Sequence, residues 1–242
     1  MRGCRQPGRS IATAVSGALS LDGWRIPFSK VAVDRGGNFE GTNDHRPESH
    51  KIDPDTITRG AVIPTRGDWQ QRLTWIEPHV VQSFEDLENH RQTTGETLGI
   101  LRPATVLGLD ITPVKEPNWS PKELSALQKE GLFDSDEQRQ RAQLRKIPFE
   151  FHYRYACESV DGQSEHRHML TDWEVGALYW NCVSSHGSQW QIPFRHKLEE
   201  ELPAKDLLLV MGTMHIFPSQ WLIIGLIYPP KSQDSLQLPL DL

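Results

Sequence analysis

Ile147-Pro148-Phe149-Glu150-Phe151-His152-Tyr153-Arg154-Tyr155-Ala156-Cys157 is the stretch on which the fold turns. Its apolar residues take every second position, Ile147, Phe149, Phe151, Tyr153 and Tyr155, with Glu150, His152 and Arg154 between them. Successive side chains of a strand point to opposite faces, so the pattern predicts a half-buried β-strand. Residues 159–164 supply a turn, and 166–170 return as the partner strand. Asp172 opens a helix through Cys182, with Trp173, Gly176, Leu178 and Tyr179 in its buried stripe. A second helix is expected over 193–202. Residues 207–211 and 221–228 are short continuous apolar runs, the kind of strand covered on both faces. Strand, strand, helix, helix, strand, strand makes 147–242 an α+β unit rather than an alternating α/β one.

Upstream, residues 13–133 read as a β-rich half behind a ragged start over 1–12. Asp22-Gly23 between apolar residues predicts a first hairpin. Residues 34–58 carry Gly36, Gly37, Gly41, Pro47 and Pro54 with no apolar period, which predicts a long polar loop. Two short helices are expected over 68–76 and 83–91, the second with Ser83 three residues before Asp86. Pro103 divides the apolar run 98–111 into two extended pieces. Ser120-Pro121-Lys122-Glu123 places an N-cap, a proline at N1 and a glutamate at N3. The charged stretch 134–146 connects this half to the next. The expected architecture is therefore α+β throughout, packed as one body.

The 242 residues carry 26 Lys+Arg against 32 Asp+Glu, a formal charge of −6, and 37% are hydrophobic. That composition excludes a wholly disordered chain, a collagen-like fibre and a disulfide-dense miniprotein. Three cysteines without paired spacing, Cys4, Cys157 and Cys182, fit a reducing compartment. No apolar run approaches the ~20 residues of a membrane-spanning helix. The N-terminus lacks the dense apolar core of a signal peptide, so a cytoplasmic, membrane-free protein is expected. A surface that binds nucleic acid by charge alone is disfavoured at this balance. The densest basic run, Arg139, Arg141, Arg145 and Lys146, reads as a solvated helix face.

Chemistry-bearing side chains concentrate in one region. His166 and His168 are two apart and share a strand face, a geometry that can hold zinc or another divalent metal with Cys157 across the turn. Asp172 and Glu174 follow, and His215 comes after a strand; with the histidines they form a candidate acid/base set. The bland alternative has Asp172 capping its helix and the histidines on the solvated face opposite the aromatic stripe, with no metal. Arg46 in the polar loop can grip a carboxylate or phosphate with Glu48 orienting it, or the pair can simply hold a turn. Trp24 and Trp190 are candidate partner-facing aromatics. P-loop, dinucleotide, nucleophile-elbow, HExxH and CxxC signatures are missing.

The strand 147–157, His166, the helix start Asp172-Trp173-Glu174-Val175-Gly176, Asp44-His45-Arg46-Pro47-Glu48-Ser49, 98–103 and 212–230 together resemble a family of uncharacterised prokaryotic proteins. The resemblance implies an outline and no activity. It also implies a zinc-knuckle-like pattern of two cysteines and a Gly-His. Cys157 and His166 match that pattern, whereas Gly162 and Gln163 stand where the second thiol would fall, leaving His168 as the substitute ligand. Two functions are carried forward. One is a binding or accessory module for nucleic acid or a protein partner. The other is a metal-assisted hydrolase or nuclease using His166, His168, Asp172 and Glu174, with metal-activated water. Oligomeric state is not legible.

Overall fold

The computed structural model describes residues 38–40, 46–48, 50–52, 62–65, 67, 69–130, 145–214 and 216–231. In chain order the strands and helices are β1 (Asn38–Glu40), β2 (His50–Ile52), α1 (Gln70–Ile76), β3 (Val80–Val81), α2 (Phe84–Thr94), β4 (Leu98–Leu101) and β5 (Thr105–Pro113). Then come α3 (Pro121–Glu130), β6 (Phe149–Ser159), β7 (Gly162–Met169), α4 (Trp173–His186), α5 (Gln191–Arg195), β8 (Leu208–Met214) and β9 (Phe217–Ile227). The class is α+β, and the stretch from β6 onward follows the expected order. Among the described residues no helix is long and apolar enough to cross a membrane.

Two sheets enclose the core. One is antiparallel in the order β5-β6-β7; the other runs β3-β4-β8-β9, with β3 parallel to β4 and the rest antiparallel. They are joined at both margins. At one, the chain turns from β4 into β5 through Arg102-Pro103-Ala104, the division that Pro103 predicts. Arg102 holds that corner, donating to Asp206 at 3.0 Å and to Glu77 at 2.6 Å. At the other margin, Leu170 just past β7 bridges Ile223 of β9. Both sheets thus draw strands from either side of 134–146, so the two halves read from composition are interleaved.

The inner faces meet in one apolar cluster. Leu101, Tyr153, Tyr155, Phe194, Leu209, Met211 and Ile223 are each fully buried. After α5 the helix widens into a π turn over His196–Glu201, which displaces the usual i→i+4 bonding. The buried Tyr153 hydroxyl donates to the Leu198 carbonyl there at 2.6 Å. From the same segment Arg195 Nη1 donates to the Leu109 carbonyl at 2.8 Å. Glu199 accepts the Leu109 N–H, also at 2.8 Å, so the outer edge of β5 is covered.

Several local expectations are met by their capping chemistry. Ser83 accepts the Asp86 N–H, and Gly95 ends α2 in the left-handed conformation, φ 81°. Ser120 and Glu123 form the reciprocal capping box that opens α3. Others are corrected. The α4 stripe is Val175, Tyr179 and Cys182, whereas Trp173 at its first position is 54% exposed. The polar loop contains an antiparallel pair, Asn38 opposite Ile52, that no apolar alternation announces. The Asp22-Gly23 hairpin and residues 131–144 lie outside the described residues.

Candidate functional site

The antiparallel register of β6 and β7 sets Tyr155 opposite His166 and Tyr153 opposite His168. Directly opposed residues share a face. The histidines therefore stand on the inner, aromatic face, and the solvated face assigned to them by one reading is corrected. The error was one of register: the face of β7 follows from its partner's phase and not from its own polarity. Phe84 of α2 lies over both imidazoles, ring centres 4.7 Å from His166 and 4.9 Å from His168. Tyr155 and His168 Nδ1 are bonded at 2.9 Å. Burial raises the Tyr155 hydroxyl pKa, so the phenol keeps its proton, and the imidazole tautomer sets which group donates. Ser164 Oγ and His166 Nε2 are also 2.9 Å apart. Cys157 is fully buried, and burial pushes its thiol up to about 11. These three side chains share a face but each is engaged separately. Among the described residues no three His, Cys, Asp or Glu groups come together to hold a metal ion.

Desolvation lowers the pKa of both histidines, that of His168 to about 4. An unfolded histidine titrates near about 6.5, so below that pH the unfolded chain binds protons that the folded chain refuses. Stability is therefore complete above pH ~6.5 and falls as pH drops towards ~4. Glu88, held at about 2 by Arg91, adds loss only in stronger acid. Asp172, raised by burial, runs the opposite way. The urea midpoint should be flat from pH 8 to ~7 and then decline, with a shallower decline in His168→Gln.

Asp172 is the most fully engaged of the candidate acids. Oδ1 accepts the Glu174 N–H at 2.6 Å, which caps α4, and Oδ2 accepts the Leu226 N–H at 2.7 Å. The second bond exists because β9 bulges between its pairings with Val210 and Met211. Glu174 sits in the first helical turn and accepts a long 3.4 Å bond from the Tyr228 hydroxyl. His215 and Trp24 lie outside the described residues. Trp190 is 8% exposed, packed on Phe149, Tyr179 and Phe194, so the partner-facing role expected for it is corrected to a core one.

Arg46 and Glu48 reach across the chain. Arg46 Nη1 donates to the Thr213 carbonyl at 3.1 Å, and one Glu48 oxygen accepts the Thr97 N–H at 2.8 Å and the Thr97 hydroxyl. Neither threonine is singled out by the sequence, because only the β4–β8 pairing makes them neighbours.

The outer faces of the two sheets differ in kind. Over β5-β6-β7 the outer side chains include Asp110, Arg154, Arg167 and Glu165, with Asp110 paired to both arginines at 3.1 and 2.7 Å. Over β4-β8-β9 they are Leu98, Ile100, Val210, Gly212, Leu222 and Ile224, alternating with the buried inner set. Leu98 is 46% and Ile224 40% exposed. A β-carbon on Gly212 would lie 2.9 Å from Ile224 and 3.2 Å from Leu98, so the two leucine-type side chains meet over that glycine. Leu208, on the same outer face, is fully buried, so among the described residues β8 and β9 are covered fully on the inner face and in part on the outer one.

The described residues thus form an α+β body with a largely aliphatic outer sheet face, in which Asp172 caps α4 and Glu174 accepts from Tyr228. The chain belongs to the family described as a domain of unknown function (DUF8757), whose model matches residues 80–241, from β3 onward. No curated protein and no solved structure matches it.

Proposed function

We propose that the chain is a binding or accessory module whose partner is a protein, docked on the aliphatic outer face of β4, β8 and β9. The observation that carries this is the exposure of Leu98 and Ile224 on a face of otherwise apolar outward residues. Apolar patches of this kind on soluble proteins mark interaction sites. A nucleic-acid partner is less well supported, since Arg154 and Arg167 both pair with Asp110 and the net charge is −6. The hydrolase reading gains no support from Asp172, whose two oxygens are both taken by backbone N–H groups. Buried free thiols at Cys157 and Cys182 suit a cytoplasmic setting, while a prokaryotic origin rests on the family resemblance alone.

Leu98→Glu and Ile224→Glu place a charge where a partner would be desolvated. Each should weaken partner capture at least tenfold while shifting stability by only about 0.5 kcal/mol, as exposed substitutions do. Quantitative affinity capture, paired with thermal melts, checks this. Capture of the same proteins by wild type and both variants would overturn the surface. Tight binding of single- or double-stranded DNA or RNA at low salt would favour the nucleic-acid version instead.

A further inference from the structure

Thr97 and Thr213 face each other one step beyond the Leu98–Gly212 pair, and only half of their backbone rung is made. Thr213 N–H donates to the Thr97 carbonyl at 3.2 Å. The reciprocal groups go elsewhere: Thr97 N–H to Glu48, Thr213 carbonyl to Arg46. A carboxylate and a guanidinium thus stand in for the acceptor and donor that a continuing ladder would supply. Pro47 fits beside them on Gly95, its Cγ 3.7 Å from where a β-carbon would be. Both threonines are buried, at 3% and 7% exposure. The seating is nonetheless incomplete, because the Glu48 Oε2 and Thr213 Oγ1 atoms are buried and unpartnered. Buried polar atoms without partners are rare in native structures and call for an explanation.

We propose that the Thr97–Thr213 notch is a docking site for an acidic peptide segment of the protein partner, occupied in this structure by the chain's own Arg46-Pro47-Glu48. The inference rests on reading the chain as a partner-docking module. Along the strands the notch comes directly after Leu98 and Gly212, with its threonine side chains on the inner face and the aliphatic pair on the outer one. A carboxylate set between the threonines accepts the Thr97 N–H with one oxygen and the Thr213 hydroxyl with the other, and pairs the hydroxyl that Glu48 leaves orphaned. The internal segment competes by tethering, which gives it an effective concentration on the order of millimolar. A partner therefore exchanges with it by making the better-paired fit.

The test uses a fluorescent synthetic peptide of residues 43–51 and the full chain. In the Arg46→Ala/Glu48→Ala variant the notch is vacated, and the peptide should bind at least tenfold more tightly than to wild type. Adding Thr97→Ala should then cost at least another tenfold, and Ile224→Glu should leave peptide binding unchanged. Glu48→Ala alone serves as the vacated form if the double variant does not fold. Equal binding to wild type and vacated chain, or binding indifferent to Thr97→Ala, overturns the notch; so does no binding at millimolar peptide to a folded vacated chain. Loss of partner capture by Ile224→Glu alongside a failed peptide experiment would sink the notch and keep the surface. The reverse pattern would sink the surface and keep the notch.

Discussion

Asp172→Ala is expected to be the most damaging single substitution among the candidate site residues, lowering stability by about 3 kcal/mol. Removing an N-cap acceptor costs about 1 kcal/mol, and stranding a buried backbone N–H costs about 1–3 kcal/mol more. Here one side chain does both, through Glu174 N–H and Leu226 N–H. For a chain of this size the melting temperature should fall by about 6–12 °C. Asp172→Asn separates the two roles. Its single amide oxygen can cap α4 or serve Leu226, and the NH2 then opposes the other N–H, so roughly half the loss should remain. Thermal or urea unfolding reads all three proteins. An alanine variant as stable as wild type would show that the clamp between α4 and β9 contributes nothing.

Tyr153→Phe is the second large effect, although it removes only one oxygen. That oxygen donates to the Leu198 carbonyl at 2.6 Å inside the core, where the π turn leaves the carbonyl without ordinary helical pairing. An unsatisfied buried acceptor costs about 1–3 kcal/mol, so a loss of about 2 kcal/mol and a fall of about 4–8 °C are expected. Tyr155→Phe makes an informative comparison, because its partner His168 retains some solvent. A Tyr153→Phe protein indistinguishable from wild type would mean that the π turn satisfies Leu198 by itself.

The alternation of Phe149, Phe151, Tyr153 and Tyr155, the Pro103 break and the Ser83 and Ser120 caps are local signals, and each gave the right element. What was not legible depends on pairings between distant segments. The inward face of His166 and His168 comes from the β6–β7 register, and the interleaving of the two halves from β4 and β5 lying in different sheets. Trp190 and Trp173 exchanged roles for the same reason. Which tryptophan is buried is decided by where Phe149 and Tyr179 fall, not by proximity to a helix end. Arg46 and Glu48 were visible as a charged pair, but their partners Thr97 and Thr213 carry no sequence mark. The apolar runs of β8 and β9 predicted cover on both faces. Among the described residues the outer face is covered only in part, with Leu98 and Ile224 exposed.

The most direct test is site-specific photo-crosslinking in cells, with the crosslinker at position 224 on the aliphatic face and, as control, at position 154 on the charged face. A discrete crosslinked protein from position 224, missing from position 154 and suppressed by Leu98→Glu, is the result predicted here. Crosslinks of equal yield at both positions, or a discrete adduct at 154 alone, would contradict the assignment of the β4-β8-β9 face as the docking surface.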